Sequence, residues 1–360
     1  MQRLPINRRA SLMLAAALAL TLSASHAVAA ESEPAPALED DKYQAAFDAA
    51  IDKALAYLAG AQLSDGSFPG GMPKNNAVAS LATMAFLARG YSPGLEPYGA
   101  TINRSIDLVL SSQDSFGTLI GPGGGQMYAH NISTLMLSEV SGMVDPERQR
   151  KIDAVLPKAI YVILAAQQVK KGGGQQGGWR YGPNSTDSDM SHSGWAMMAL
   201  RSARNNGTPV PKEAIDDAVK FILNCRYQDG GFGYQPGASS RLALSAAGLL
   251  CLELSGKHRE EVTLKAGEYV FNHFQQGWNG EHFYYGIYYC AQGMYQLGEK
   301  QWEAFAPLLY EKLLRVQQPD GSWPSMPGAA SEDGPGPCYR TAMATLALSV
   351  TYRQLPIYQR

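Results

Sequence analysis

Asp187, Asp189 and His192 crowd into the stretch "YGPNSTDSDMSHSGW" (181–195), and His130 heads a comparable apolar run, "YAHNISTLMLSEV" (128–140). Two imidazoles and two carboxylates are the side chains that exchange protons near neutral pH. Two histidines with one carboxylate also suit zinc with an open coordination position. His130, His192, Asp189 and Asp187 are therefore the candidate catalytic residues, and His130, His192 and Asp189 a candidate zinc set. A plainer role competes with both: Ser185, Asp187 or Asp189 can cap the helix that begins here, its carboxylate matching the helix dipole.

Which role applies depends on the elements that position these residues. The chain repeats itself six times. Each unit has an amphipathic helix, a glycine turn carrying an aromatic, and a helix of small residues. The turns read "QLSDGSF" (62–68), "QDSFG" (113–117), "QQGGW" (175–179), "YQDGGF" (227–232), "QQGWNG" (275–280) and "QQPDGSW" (317–323), roughly 40 to 63 residues apart. Helices before the turns, such as "AVKFILNCRYQ", carry one apolar stripe. Helices after them, such as "SGWAMMALRSA" and "LALSAAGLLCLEL", have almost no charged face and must be surrounded by protein. The pattern predicts an all-α (α/α)6 toroid over residues 45–352, six inner helices lining a central space and six outer helices wrapping them. The turn aromatics are expected to pack between repeats.

Setting the inner helices side by side puts Val78, His130, His192, Leu244, Gly286 and Arg340 in one register, with Arg241 in the register of Asp189. Adjacent helix axes lie about 8–10 Å apart, so the two imidazoles are expected to meet at the mouth of the cavity. A second rich run, "WNGEHFYYGIYYCAQGMY" (278–295), adds Tyr284, Tyr285 and Tyr288 as ring surfaces for a ligand. Tyr128, Tyr181, Trp195, Arg241 and Arg340 complete the candidate ligand-binding set. The loops "GPGGGQ" (121–126) and "KKGGGQQGG" (170–178) lack the strand–turn–helix setting of phosphate cradles and read as rims.

The Gln-x-x-Asp-Gly-Ser-aromatic units at Gln62–Phe68 and Gln317–Trp323 resemble the repeats shared by squalene–hopene cyclases and the β subunits of protein prenyltransferases. "YAHNISTLMLSEV" and "FYYGIYYCAQGMYQLG" further resemble exported bacterial proteins named for prenyltransferase and squalene-oxidase repeats. The resemblance implies a cavity for an apolar or polyisoprenoid-like small molecule. It also implies two chemistries that the residues match poorly. The cyclases use an Asp-x-Asp-Asp acid, whereas Asp189-Met190-Ser191-His192 puts serine in the donor's place. The prenyltransferases hold zinc with an Asp-x-Cys pair, which this chain lacks. Two other classes stay open: a non-catalytic scaffold for an envelope protein, and a glycan lyase or hydrolase in which Arg241 or Arg340 binds a uronate.

Residues 1–30 have the layout of an export signal: Arg3, Arg8 and Arg9, an apolar run from Leu12 to Leu22, and small residues before Glu31. Residues 31–44 read as an acidic, proline-rich leader and 353–360 as a C-terminal tail. The mature protein is expected to be exported, periplasmic or secreted, with no transmembrane span after signal removal. A net charge of −2 and a pI near 6.3 give no electrostatic case for nucleic acid. Cys225, Cys251, Cys290 and Cys338 show no framework spacing and read as buried free thiols.

Overall fold

The computed structural model describes residues 41–359 except 71, 73, 278 and 279; the expected signal and most of the leader lie outside them. Twelve α-helices alternate in two classes among the described residues. The outer helices are α1 (Asp41–Ala61), α3 (Gly99–Ser111), α5 (Pro146–Gln168), α7 (Lys212–Asn224), α9 (Glu261–Gln275) and α11 (Glu299–Leu314). The inner helices are α2 (Asn76–Ala88), α4 (Gln126–Val140), α6 (Met190–Asn205), α8 (Leu242–Leu254), α10 (Phe283–Leu297) and α12 (Pro337–Leu348). Each inner helix packs on the inner helices before and after it, and α12 packs on α2, so the ring closes. This is the expected (α/α)6 toroid.

The two classes follow from composition. α7 buries Ile215, Val219 and Ile222 on one stripe and leaves its charges in water. Every residue of α8 is buried, which its Leu, Ala, Gly and Ser side chains permit and which its one acid, Glu253, tolerates by pairing with His258. Helix starts are set by caps: Asn75 accepts from the amides of Ala77 and Val78, and Asp145 from those of Glu147 and Arg148.

A glutamine at the end of an outer helix joins neighbouring repeats. Gln62 donates to the carbonyls of Gly66 and Thr101, Gln113 to those of Gly117 and Val155, and Gln167 to those of Gly177 and Ala214. Gln317 does the same across the seam, donating to Gly321 and, at 2.8 Å, to Ala50 of the first helix. The turn glycine must press on the next outer helix. At Gly321, with φ +91, a Cβ would stand 2.4 Å from the Lys53 carbonyl oxygen, so only glycine meets both the backbone angle and the space.

Two boundaries and one turn differ from the sequence reading. The first helix begins at Asp41, inside the expected leader, because the chain there already has a partner: the rings of Tyr43 and Tyr310 lie 5.6 Å apart. The expected tail is packed. Leu355, Ile357 and Tyr358 are buried, Ile357 N–H donates to Glu139, Gln296 donates to the Tyr358 carbonyl, and the hydroxyls of Tyr288 and Tyr358 bond to each other. In the second turn Phe116 is 82 % exposed and Leu119 fills the place that Phe68, Trp179, Phe232 and Trp323 fill elsewhere. Phe116 stands one position before the turn glycine, whereas those aromatics follow it. All four cysteines are free and buried. No described helix is long and apolar enough to cross a membrane.

Candidate functional site

A cavity of about 930 Å³ opens among the N-terminal ends of the inner helices. Its wall combines rings (Tyr128, Tyr181, Trp195, Tyr234, Tyr285, Tyr339) with aliphatic side chains such as Val78, Ile132, Leu242 and Leu244. The inner helices supply this wall in register. Tyr128 of α4, Ser191 of α6, Ala243 of α8 and Tyr339 of α12 stand at matching positions, and Ile132 and Trp195 follow one turn later on the same face.

Of the residues singled out by sequence, Tyr128, Tyr181, Trp195, Arg241 and Tyr285 line this cavity. Others lie behind its wall. Tyr284 is buried with its hydroxyl on the Pro324 carbonyl, and Tyr288 is buried and stacked on Trp195 at 5.3 Å. Arg340 is spent on the carbonyls of Trp323 and Glu332 and on the Asp333 carboxylate. Asp187 faces Arg180 and Gln235 and stays partly exposed.

The two histidines do not meet. His130 is wholly buried: its Nδ1 accepts the Leu119 N–H at 3.0 Å, and its Nε2 lies 3.0 Å from the Ala159 carbonyl, to which it donates. Burial pushes its pKa down to about 4, keeping the ring neutral. The aligned register was off by one residue in α4, and one residue turns a helix by about 100°. That rotation carries His130 out of the wall and into the layer between inner and outer helices. The His130, His192 and Asp189 zinc set is therefore not assembled, since both His130 nitrogens are occupied elsewhere. Among the described residues no group of three His, Cys, Asp or Glu side chains is placed to hold a metal ion.

Asp189 and His192 form a buried pair just behind the wall. Asp189 caps α6 through the His192 amide, and His192 Nδ1 donates to its carboxylate at 2.9 Å. Ser191 donates to the same carboxylate at 2.6 Å and receives the Tyr128 hydroxyl at 2.7 Å, while Tyr234 donates at 3.2 Å. Burial works against the Asp189 charge, yet the His192 hydrogen bond and charge, with Ser191, hold its pKa below the ordinary value. The His192 ring lies under Tyr128 and Tyr181, with centroids 3.8 and 4.2 Å away, and its Nε2 is buried with no hydrogen-bond partner among the described residues. The pair thus fixes the hydroxyls and rings that face the cavity without facing it itself.

Sequence reasoning missed the buried acid that lines the cavity. Glu332, only 2 % exposed, sits in a short 3-10 turn (Ala330–Glu332) and accepts the Tyr284 and Tyr285 amides at 3.1 and 2.9 Å, capping α10 from outside that helix. Burial raises its pKa to about 7, against the opposing amides and Arg340. Tyr285 spans the two acid stations, its amide on Glu332 and its hydroxyl 3.4 Å from the Ser191 carbonyl.

The chain matches the model of the prenyltransferase alpha-alpha toroid domain over residues 94–282, more than half of its length. It superposes on the type II terpene cyclase MstE from Scytonema in complex with geranylgeranyl dihydroxybenzoate, with 13 % identity and TM-score 0.55, over 88 % of this chain and 100 % of that one. It superposes as well on a glycosidase in complex with glucose, with 13 % identity and TM-score 0.60, over 88 % and 99 %. A protein from Actinoplanes has 13 % identity and TM-score 0.51, over 84 % and 98 %. No curated protein matches the chain in sequence. At these identities the likeness is one of fold.

Proposed function

Because this chain belongs to the prenyltransferase alpha-alpha toroid family, we propose that its central cavity binds an elongated, largely apolar ligand of the polyisoprenoid kind. The observation that carries this reading is the wall itself, a cavity of about 930 Å³ built from aromatic rings and aliphatic side chains. That volume lies in the range of dedicated small-molecule sites, which are mostly apolar with a few placed polar groups. The terpene cyclase with a geranylgeranyl ligand supports the same reading by fold. Geranylgeraniol binding, followed by calorimetry, tests it. Wild type is expected to bind, and Leu244→Trp, which narrows the cavity, is expected to weaken binding while leaving the melting temperature nearly unchanged. Absence of binding by wild type would remove the reading.

A second reading, action on a glycan, is favoured by one observation. Glu332 titrates near 7 inside an aromatic cavity, the range suited to general acid catalysis. The glucose-bound relative is consistent with it by fold. Calorimetry with glucose and a uronate oligomer separates the two readings, Arg241→Ala weakening only the uronate.

We further take the mature protein to be exported, on the layout of residues 1–30. N-terminal sequencing of protein from an envelope fraction is expected to begin near Glu31; recovery of the intact N-terminus in the cytosol would refute it.

A further inference from the structure

Among the charged side chains that line the cavity, Glu281 and Arg241 are exposed at the rim and Glu332 is buried. A carboxyl is seldom buried without a partner, and the Glu332 oxygens have two backbone amides and no ion pair among the described residues. Arg340 is the nearest cation, but its guanidinium is directed at the Asp333 carboxylate (3.1 Å) and at two carbonyls. Arg340 favours the Glu332 charge from a distance and Asp333 opposes it, which leaves the carboxyl with no direct counter-ion among the described residues. Around it stand Tyr285, whose amide it holds, and Tyr339, with Tyr128 and Trp195 in the same wall.

We infer that Glu332 and the surrounding rings receive the positively charged head of an amphiphile, a quaternary ammonium or comparable cation, whose apolar tail lies along the aliphatic wall. The inference rests on the apolar-ligand reading above and adds the head group to it. Ring faces attract cations through their quadrupoles, most strongly where water is excluded, and quaternary ammonium groups are the ligands best served by this. The cation supplies the counter-charge that the fold withholds from Glu332.

A fixed positive charge also makes binding depend on pH with a defined sign. Quaternary ammonium does not titrate, so any dependence belongs to the protein. Glu332 ionises as pH rises through about 7, and the cation favours the ionised form. The phenols of Tyr284 and Tyr339 feel the same carboxyl, Tyr285 holds it through its amide, and burial pushes all three phenols up, keeping them neutral in this range. Arg340 is paired with Asp333 at 3.1 Å, and His282 lines the same cavity, bonded to Ser331 at 2.9 Å with its ring 6.4 Å from that of Tyr285.

The test is calorimetry of the whole protein with three ten-carbon probes below their micelle concentrations: decyltrimethylammonium, decanol and decyl sulfate. The ammonium is expected to bind at least tenfold tighter than the sulfate, and its affinity to rise several-fold from pH 6 to 8. Glu332→Gln should erase both effects and leave decanol unchanged; His282→Gln should leave both in place. Equal binding of all three probes, or preference for the sulfate, overturns the cationic head while keeping the apolar cavity. Failure of every probe to bind overturns the cavity reading with it. Should Glu332→Gln not fold, the wild-type pH dependence decides: a flat profile overturns the inference.

Discussion

His130 and Ser193 hold structurally matching places: each side chain accepts the backbone N–H of the buried residue that follows a turn glycine, Leu119 at 3.0 Å and Trp179 at 2.9 Å. Ser245 does the same for Phe232 at 2.8 Å and Thr341 for Trp323 at 3.3 Å. In the second repeat a histidine replaces the hydroxyl, and its extra reach lets it take the Ala159 carbonyl as well.

Removing this double bond should destabilise the fold without touching the ligand. His130→Ala leaves the buried Leu119 amide unpartnered and takes a second donor from the Ala159 carbonyl, a loss of about 1–3 kcal/mol, while geranylgeraniol affinity at a permissive temperature stays as in wild type. Loss of binding in a folded His130→Ala protein would return His130 to the site.

His130 also sets an acid limb. Its folded pKa of about 4 lies below the unfolded value, so the unfolded chain takes up the proton first as pH falls. Stability should decline from about pH 6.5 to 4 by up to about 3 kcal/mol and then level, in urea melts. The His130→Ala protein should lack that segment of the slope.

Glu139 acts in the opposite sense. Burial raises its pKa to about 7 against the Ser202 hydroxyl and the Ile357 amide that it accepts. The folded state then holds the proton more tightly, so stability should fall as pH rises from about 4.5 through 7. Glu139→Gln keeps both contacts, because serine can accept as well as donate. It should be more stable than wild type at pH 8 by about 1–3 kcal/mol, and equal to it at pH 5.

At Asp189 charge and capping are separable. Asp189→Asn retains an oxygen for the His192 amide and should fold. Asp189→Ala loses the cap and strands Ser191 and Tyr234, costing about 2–4 kcal/mol in thermal melts. Equal stability of Asp189→Asn and wild type would show that the carboxylate charge contributes nothing beyond the cap.

The toroid was legible because its determinants are local: glycine turns, small-residue helices and one-sided outer stripes recur down the chain. The cavity register was legible in α6, α8 and α12, and slipped in α4, where an aligned apolar core tolerates an error of one position but a side-chain direction does not. Aligning on the turn glycine matches Leu119 to Trp179, but the loops that follow differ in length, so His130 and Ser193 match only through the amides they accept. Glu332 had no such signal. It lies in "GAASEDGPG", which reads as loop, and its partners are amides 47 and 48 residues earlier in the chain. The packing of residues 355–358 was likewise invisible, since its anchor Glu139 is 218 residues from Ile357.

The Gln317 clasp on Ala50 joins positions 267 residues apart. At about 5–20 residues per second of synthesis, the first helix waits roughly a quarter of a minute to a minute for the partner that covers it. Meanwhile Phe47, Ile51, Leu55 and Leu58, all wholly buried in the finished ring, have no sixth repeat to pack against. The earliest of the described helices is completed last, so a nascent chain of this protein carries a sticky edge until its sixth repeat emerges. Holding that edge apart from other chains is a task that falls to the cell's chaperones until the ring can shut.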